Sequence, residues 1–429
     1  MTEPSIAADE TVVGPPKGAL FAIFLIVLAD LLGFGVIIPL LPSYARTLHA
    51  SDFQVGLLFS VYSICQLIAA PILGLVSDRY GRRPVLIASQ IGSVIGFILL
   101  GYATHPGLVA PGVGLILVYI SRTIDGFSGG NISTAQAYIA DVTTPQTRSR
   151  GMGMLGAAFG IGFSIGPALG GLLGHYKLSY PAFAAAAFSL LAALLTYFRL
   201  PESRFHKPAE AEVWLHPSRF LPIIRNSPLI QMQLIFFFSM MAFVMMETCI
   251  AMFLADRFNY GVRTIGLFFA LAGFIIIIVQ GGLIGRLTKR FGEWPLVITG
   301  PLLVSIAMLL YVQAGFVPLV IFIVVSTILN AGGRSLQQPS ISSLISQHSD
   351  PDQQGAVFGL FHMLGSLARA IGPMIAAAIY TTHHTGPFAL AGFITLAVTA
   401  WTVLLRAQVK QKTPHGAAFD QAEVQTRAT

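Results

Sequence analysis

The chain has 429 residues, of which 55% are hydrophobic and 10% are charged, whereas about a quarter of the residues in soluble proteins are charged. This composition excludes a cytosolic enzyme of ordinary type and indicates a polytopic α-helical membrane protein. The formal net charge of +7 does not require a nucleic-acid partner, because the inner loops of membrane proteins collect Lys and Arg.

Twelve apolar runs follow one another along the chain, separated by short polar gaps. Each is predicted to cross the bilayer as a helix, because lipid offers no partner to free backbone groups. The runs are continuously apolar, which excludes the alternating pattern of membrane strands. The predicted spans are 19–41, 55–76, 84–102, 113–140, 152–173, 181–200, 229–255, 264–287, 294–313, 316–345, 356–380 and 387–405.

The spans fall into two sets of six. We predict a tail at 1–18, a first bundle at 19–200, a linker at 201–228, a second bundle at 229–405 and a tail at 406–429. With both termini in the cytoplasm, inner segments hold 18 of the basic residues and outer loops hold 4, which agrees with the positive-inside rule. The expected fold class is an all-α membrane protein with twelve transmembrane helices in two six-helix bundles.

An internal repeat relates the two bundles. Residues 74–83 read GLVSDRYGRR and residues 285–292 read GRLTKRFG, so that Gly, Arg, an aromatic residue and Gly share one register. A Gly-Pro pair at 166–167 in helix 5 also recurs six helices later, at 372–373 in helix 11. Duplicated halves of the same orientation predict a binding cavity between them, near the middle of the membrane.

Four motifs resemble the major facilitator superfamily and, within it, the twelve-helix drug:proton antiporters such as the tetracycline and multidrug exporters. They are DLLGFGVIIPLLP at 30–42, the motif at 74–83, RTIDGFSGG at 122–130 and GFSIGPALGG at 162–171. The resemblance covers about residues 18 to 405. It implies the pseudo-symmetric major facilitator fold and proton-coupled efflux of amphipathic drug-like compounds by alternating access, in the inner membrane of a bacterium.

Some residues depart from the tetracycline exporters. Gly96 stands where those proteins have an acidic residue in helix 3, and the stretch at 273–280 lacks their helix 8 histidine. The resemblance therefore implies drug export without identifying the compound. The alternative function is a proton-coupled sugar or metabolite transporter on the same fold, by symport or export, although the helix 5 motif argues against import.

Asp30 lies near the middle of helix 1. A charged carboxylate at that depth costs about 2.5–3.5 kcal/mol on insertion scales, and burial favours its protonated form. A group that takes up and releases a proton inside a cavity can couple transport to a proton gradient. Asp30 is either such a group or a carboxylate hydrogen-bonded to a neighbouring helix for packing.

Five further ionisable residues lie inside predicted spans. Arg122 and Asp125 share a face of helix 4 and either neutralise each other or exchange partners during transport. Glu247, in the outer half of helix 7, attracts cationic substrates, acts as a second proton site, or is only an acid facing the outer vestibule. Arg334 in helix 10 and Arg369 in helix 11 are expected to pair with an acid across the cavity. We assign proton coupling and substrate binding to Asp30, Arg122, Asp125, Glu247 and Arg369.

The motif at 74–83 is predicted to be a loop that acts as a cytoplasmic gate. Glycines in it permit tight turns and close helix approach, and Asp78 suits the positive N-terminus of a nearby helix. The resemblance implies that Asp78 latches the start of helix 11. The arginines either form ion pairs in the gate or only set the orientation in the membrane. The predicted gate residues are Gly74, Asp78, Arg79, Gly81, Arg82 and Arg83.

Helix 5 carries glycines at a spacing of four, which lets helix backbones touch. We predict that this face lies across the interface between the halves; the alternative is a tightly packed helix without directional meaning. Pro167 removes one helix hydrogen bond and permits a bend. The residues that the resemblance assigns to the antiporter motif are Gly162, Gly166, Pro167, Gly170 and Gly171.

No Walker loop, metal-ligand cluster or nucleophile–base constellation is present in the sequence. We therefore expect no enzymatic activity, no catalytic residue, no metal and no cofactor. The expected partners are a small-molecule substrate, protons and the lipid bilayer, with no nucleic acid. The chain is expected to act as a monomer.

Overall fold

The computed structural model describes residues 18–105, 109–143, 145–203, 226–349 and 354–412. The first half contains α1 (Ala19–Thr47), α2 (Asp52–Tyr80), α3 (Arg82–Ala103), α4 (segments Pro111–Ser128 and Asn131–Asp141), α5 (Pro145–Tyr176) and α6 (Tyr180–Arg199). The second half contains α7 (Ser227–Phe258), α8 (Val262–Phe291), α9 (Glu293–Phe316), α10 (Val320–Gln347), α11 (Gln354–Tyr380) and α12 (Gly386–Lys412). Most of the predicted tails and linker lies outside the described residues.

Within the described part of the chain, 11 helices are long and apolar enough to cross a membrane. The remaining unit, α4, is divided into two segments at Gly129 and Gly130. The uninterrupted helix predicted for 113–140 is therefore wrong at this point. The division lies where the α4 backbone approaches α2, since a Cβ on Gly130 would lie 3.0 Å from the backbone nitrogen of Ala70.

The two halves repeat each other in their helix contacts. In the first half α1 packs on α5 and α6, α3 packs on α4 and α6, and α2 packs on α4; each contact recurs six helices later. Gly81 alone joins α2 to α3 with a φ of 102°, and Gly292 alone joins α8 to α9 with a φ of 76°. Positive φ favours glycine at both positions. The predicted internal repeat is confirmed.

The halves meet through two helix pairs, α5 with α8 and α2 with α11. Each pair places the carbonyl of a helix proline against a glycine of the partner helix. A Cβ on Gly266 would lie 2.8 Å from the Pro167 carbonyl oxygen, and a Cβ on Gly56 would lie 2.6 Å from that of Pro373. Because the two prolines are related by the repeat, the symmetry of the chain extends to its central interface.

The halves join at one end of the bundle and separate toward the other; we call these the Arg46 end and the Gly81 end. At the Arg46 end one hydrophobic core includes residues of both halves, among them Tyr44 of α1 and Phe253 of α7. Toward the Gly81 end each half has a core cluster of its own. The described helices of the two halves therefore share a core at the Arg46 end and have separate cores toward the Gly81 end.

The glycines of α8 show the same divergence. A Cβ on Gly266 or Gly273 would lie within 3 Å of atoms in α5. Farther along the helix, Gly281, Gly282 and Gly285 have no neighbouring atom within 4 Å of such a Cβ. The contact between α5 and α8 thus ends before the Gly81 end is reached.

The glycine face of α5 packs against α1, within the first half. A Cβ on Gly162 would lie 2.8 Å from the Cβ of Leu31, and one on Gly166 would lie 2.9 Å from the Cα of Gly35. The predicted placement of this face across the interface between the halves is wrong. Gly171, which points in another direction, makes the contact with α8 instead.

We expect Gly166→Ala to lower the free energy of unfolding by about 1–3 kcal/mol, because the added methyl group forces α1 and α5 apart. Gly74→Ala is the matched control and should change it by less than about 0.5 kcal/mol, since nothing lies within 4 Å of its Cβ position. Unfolding of both purified variants in detergent would measure the difference. Equal losses at the two positions would contradict the packing described for α5.

Candidate functional site

Asp30 of α1 lies where α1, α3 and α4 meet. Its Oδ2 accepts a hydrogen bond of 2.9 Å from Nδ2 of Asn131, the first residue of the second α4 segment. A cavity of about 10 Å³ adjoins the carboxyl group, and its lining includes Leu86 and Gln90 of α3. That volume is near the least that one water molecule needs. The site therefore combines a helix-to-helix hydrogen bond with room for a water beside the carboxyl group.

The division of α4 is what presents Asn131 to Asp30. At the division, Gln66 of α2 donates a hydrogen bond of 2.9 Å to the carbonyl oxygen of Gly129. A Cβ on Gly129 would lie 2.4 Å from the hydroxyl of Tyr62, so a larger residue does not fit there without a shift. The interrupted backbone is thus satisfied by a side chain and fixed against α2.

Arg122 and Asp125 form an ion pair in the first segment of α4, and they are 2% and 3% exposed. The guanidinium carbon of Arg122 lies 5.2 Å from the ring centre of Tyr62 and 5.9 Å from that of Phe97. Cation–π attraction and the carboxylate together compensate the buried cation. Asp30 also interacts electrostatically with Asp125, so the charge on one carboxyl group affects the protonation of the other.

The second half brings together Glu247 of α7, Arg334 of α10 and Arg369 of α11, which interact electrostatically. Among the described residues, neither arginine has a carboxylate oxygen within 4.0 Å, so the predicted ion pairs are wrong. Nη2 of Arg369 instead donates to Oγ of Ser366 at 3.1 Å. Arg369 also lies close enough to Tyr62 of the first half to interact with it electrostatically.

The Phe- and Met-rich stretch of α7 packs mostly within the second half. Met245 and Met246 are buried, and the ring of Phe236 stacks on Phe361 with centres 3.7 Å apart. Phe243 differs, because its ring lies against the guanidinium of Arg334. This aromatic ring therefore belongs to the charged cluster as well as to the packing of α7.

Residues 74–83 form a helix junction, so the predicted loop is wrong. α2 continues to the residue before Gly81, and α3 begins at the residue after it. Arg82 is 5% exposed and pairs with Asp78 at 2.7 Å and with Asp141 of α4 at 3.1 Å. Arg82 thereby ties α2, α3 and α4 together. Close helix approach is not found at Gly74, whose Cβ position has no neighbour within 4 Å.

The positive end of α3 is bound by an acid that sequence reasoning missed. Glu202 accepts hydrogen bonds from the backbone N–H groups of Arg82, at 2.9 Å, and Arg83, at 3.1 Å. This is the interaction with a helix N-terminus that was predicted for Asp78. Arg79 is exposed and lies beside the ring of Tyr80. The predicted partner of Asp78 is the start of helix 11, which begins at Gln354 after residues 350–353, which lie outside the described residues; the latch stays a prediction.

A second charged cluster joins the halves at the Arg46 end. Asp256 of α7 accepts hydrogen bonds from Arg46 of α1, at 2.8 Å, and from Tyr380 of α11, at 2.7 Å. Arg46 also pairs with Asp52 of α2 at 2.8 Å. We call these four residues the Arg46 cluster. No spacing in the sequence indicates partners 210 residues apart.

Among the described residues, no group of three His, Cys, Asp or Glu side chains is placed to hold a metal ion. Besides the Arg46 cluster and the ion pairs of Arg82, the described helices bring together two sets of charged groups. The first half holds Asp30, Arg122 and Asp125, and the second half holds Glu247, Arg334 and Arg369. Such groups can bind protons and charged parts of small molecules.

Comparisons with known proteins agree on one family. The model of the Major Facilitator Superfamily matches residues 23–373 and 281–426. Tetracycline resistance protein, class C, of Escherichia coli is 33% identical over 373 residues, covering 85% of this chain and 90% of that protein. Multidrug resistance protein 2 of Bacillus subtilis (strain 168) is 30% identical over 386 residues, covering 87% and 92%. The crystal structure of the human organic anion transporter MFSD10 (TETRAN) aligns with a TM-score of 0.68 at 27% identity, covering 90% of this chain and 100% of that one.

Proposed function

The chain belongs to the Major Facilitator Superfamily, and we propose that it exports amphipathic, drug-like compounds in exchange for protons, as a secondary active transporter. The resemblance found in the sequence and the expected fold class are confirmed. Relatives named as tetracycline and multidrug resistance proteins match about nine tenths of their own length. The proposed function of the present chain is of the kind that the names of these relatives state.

The observation that carries the proton coupling is the environment of the first-half carboxyl groups. Asp30 is held by Asn131 beside a water-sized cavity, and Asp125 is buried against Arg122. Acidic side chains inside a membrane cost free energy to bury, and they are typical of proton relays. Asp30 is the proposed proton carrier, and Asp125 is proposed to assist it.

Alternating access explains the two ends of the bundle. If the basic Gly81 end faces the cytoplasm, the structure is an inward-facing state, closed at the Arg46 end. A compound then enters from the cytoplasm or the inner leaflet, and the halves rock about the central site to release it outside. A single chain contains both halves, so the proposed unit is a monomer in the inner membrane with both termini in the cytoplasm.

Export is tested by expressing the full chain in an efflux-deficient bacterial strain, with tetracycline and ethidium as probes. We expect resistance or reduced accumulation for at least one probe, and a protonophore should abolish it because the gradient drives export. Resistance that survives the protonophore would contradict proton coupling. Proton release when a transported probe binds to the purified protein would separate antiport from the symport alternative.

The Arg46 cluster is expected to hold the outer side closed. Arg46→Gln combined with Asp256→Asn removes the charges that join α1 to α7, at a cost to the closed state of about 1 kcal/mol, since the cluster is partly exposed. The population open at this end should then rise about fivefold. Electron paramagnetic resonance would measure the distance between spin labels at Thr47 and Thr381, which are exposed near the ends of α1 and α11. Cys65→Ser and Cys249→Ser would first remove the native cysteines so that they are not labelled.

Arg257→Gln is the matched control for this measurement. Arg257 is an exposed arginine near the same end, and it donates to the backbone carbonyl of Phe316 within the second half. The control should leave the distance distribution as in the parent protein. An unchanged distribution in the double variant would show that the Arg46 cluster does not hold the outer side closed.

A further inference from the structure

The charged cluster of the second half has more positive than negative charge. Arg334 and Arg369 contribute two cations, and Glu247 is the acid that interacts electrostatically with both. The first half differs, because Arg122 and Asp125 there form a complete ion pair. Cations inside a membrane protein normally pair with an acid or a carbonyl, so the excess positive charge in the second half requires an explanation.

Arg334 has fewer hydrogen-bond partners among the described residues than a guanidinium normally has. Its carbon lies 3.2 Å from the ring centre of Phe243, so one face of the guanidinium is covered. Nη2 points to the sulfur of Met240 at 3.8 Å, a weak acceptor. Nη1 is buried and has no hydrogen-bond partner among the described residues. A buried donor without a partner is rare in native proteins, and here it carries charge.

Arg369 stands one helix away and extends the same cationic surface. Its Nη2 donates to the neutral hydroxyl of Ser366, and no described carboxylate lies within ion-pair distance. Its electrostatic interactions reach Glu247 on one side and Tyr62 of the first half on the other. Arg369 therefore lies near the first half, whereas Arg334 contacts Phe243 and Met240 of its own half.

We propose that Arg334 and Arg369 bind an anionic group of the substrate, such as a carboxylate attached to an apolar or aromatic body. Guanidinium N–H groups match the geometry of a carboxylate. Phe243 and Met240 lie directly beside Arg334 and supply apolar contact surface for the attached body. Glu247 interacts electrostatically with the same two arginines. Its negative charge should therefore weaken the binding of an anion. The site should thus favour those amphipathic substrates that carry an anionic group over otherwise similar neutral or cationic compounds.

The inference rests on the proposed transport function only in treating this surface as the substrate site. Binding to the purified full chain without a proton gradient tests it separately from export. The probes are 1-naphthaleneacetate, its neutral amide and 2-(1-naphthyl)ethylamine, which share one aromatic body. The protein is embedded in nanodiscs of phosphatidylcholine, whose headgroups carry no net charge.

We expect the parent protein to bind the acetate at least 10-fold more tightly than the amide, which corresponds to about 1.4 kcal/mol. Arg334→Gln and Arg369→Gln should each reduce this preference to within about twofold, and Glu247→Gln should strengthen acetate binding. The matched control is Arg290→Gln, an exposed arginine of the same half, which should keep the parent preference.

Several results would overturn the proposal. Three of them concern the parent protein: no detectable binding of the acetate, equal affinity for the three probes, or tighter binding of the amine. These three results do not depend on whether a variant folds. Retention of the preference in both Arg→Gln variants would also overturn it. Loss of acetate binding when the protein is embedded in phosphatidylglycerol instead of phosphatidylcholine would assign the site to a lipid phosphate and not to a substrate.

Discussion

Asp30→Asn should reduce proton-driven export to the background level while leaving the protein folded. The substituted amide keeps an oxygen that accepts the 2.9 Å hydrogen bond from Asn131, so the junction of α1 with α4 is retained. What the variant loses is a group that takes up and releases a proton. Exchange of labelled for unlabelled probe without a gradient should continue, because exchange requires rocking of the halves but no net proton movement.

Uptake of tetracycline or ethidium into everted membrane vesicles would measure export, and exchange in vesicles preloaded with the same probe would measure the second activity. The matched control is Glu293→Gln, which replaces an acid at the start of α9 and retains an acceptor for Ser343 and Gln347. The control should export normally. Export against a gradient by Asp30→Asn would show that the proton carrier lies elsewhere, and loss of exchange as well would make Asp30 structural.

Arg122→Met should destabilise the protein by about 3–5 kcal/mol, the usual effect of removing one partner from a buried ion pair. Asp125 is only 3% exposed and would be left without its cation. The double variant Arg122→Met, Asp125→Asn removes both charges and should recover most of that loss. Neither variant should export, because Asp125, which is proposed to assist Asp30, has lost its cation in one variant and its carboxyl group in the other.

Denaturant unfolding of the purified variants in detergent would supply the free energies, and the vesicle assay would supply the transport. Arg122→Lys adds a sharper comparison, because it keeps the charge but loses the planar group between Tyr62 and Phe97. A double variant as unstable as the single one would contradict the ion-pair account. Full export by the double variant would remove the pair from the mechanism.

The twelve helices and their repeat could be predicted because the signals are local. A run of apolar residues needs only its own sequence to require a helix in lipid, and the related motifs at 74–83 and 285–292 stand in the same register. The same local signal was insufficient at Gly129 and Gly130. The division of the helix depends on packing against α2 and on the hydrogen bond from Gln66, and neither can be found from the run of residues alone.

Contacts between helices could not be predicted, because a step of one residue turns a helix by about 100°. Gly170 and Gly171 are neighbours in the chain, yet the first packs on α1 and the second on α8. Spacing identified a close-packing face without identifying the helix that it contacts. For the same reason Asp30 was singled out by its depth, whereas Asn131, 101 residues away, was not.

The Arg46 cluster is also divided between the halves in an unequal way. Arg46 and its partner Asp52 both belong to the first half, whereas Asp256 and Tyr380 belong to the second. In the proposed outward-open state, the first half keeps the pair of Arg46 with Asp52, and Asp256 of the second half loses its arginine. The outward mouth of the transporter then becomes cation-attracting, and its proton loading should weaken as ionic strength rises.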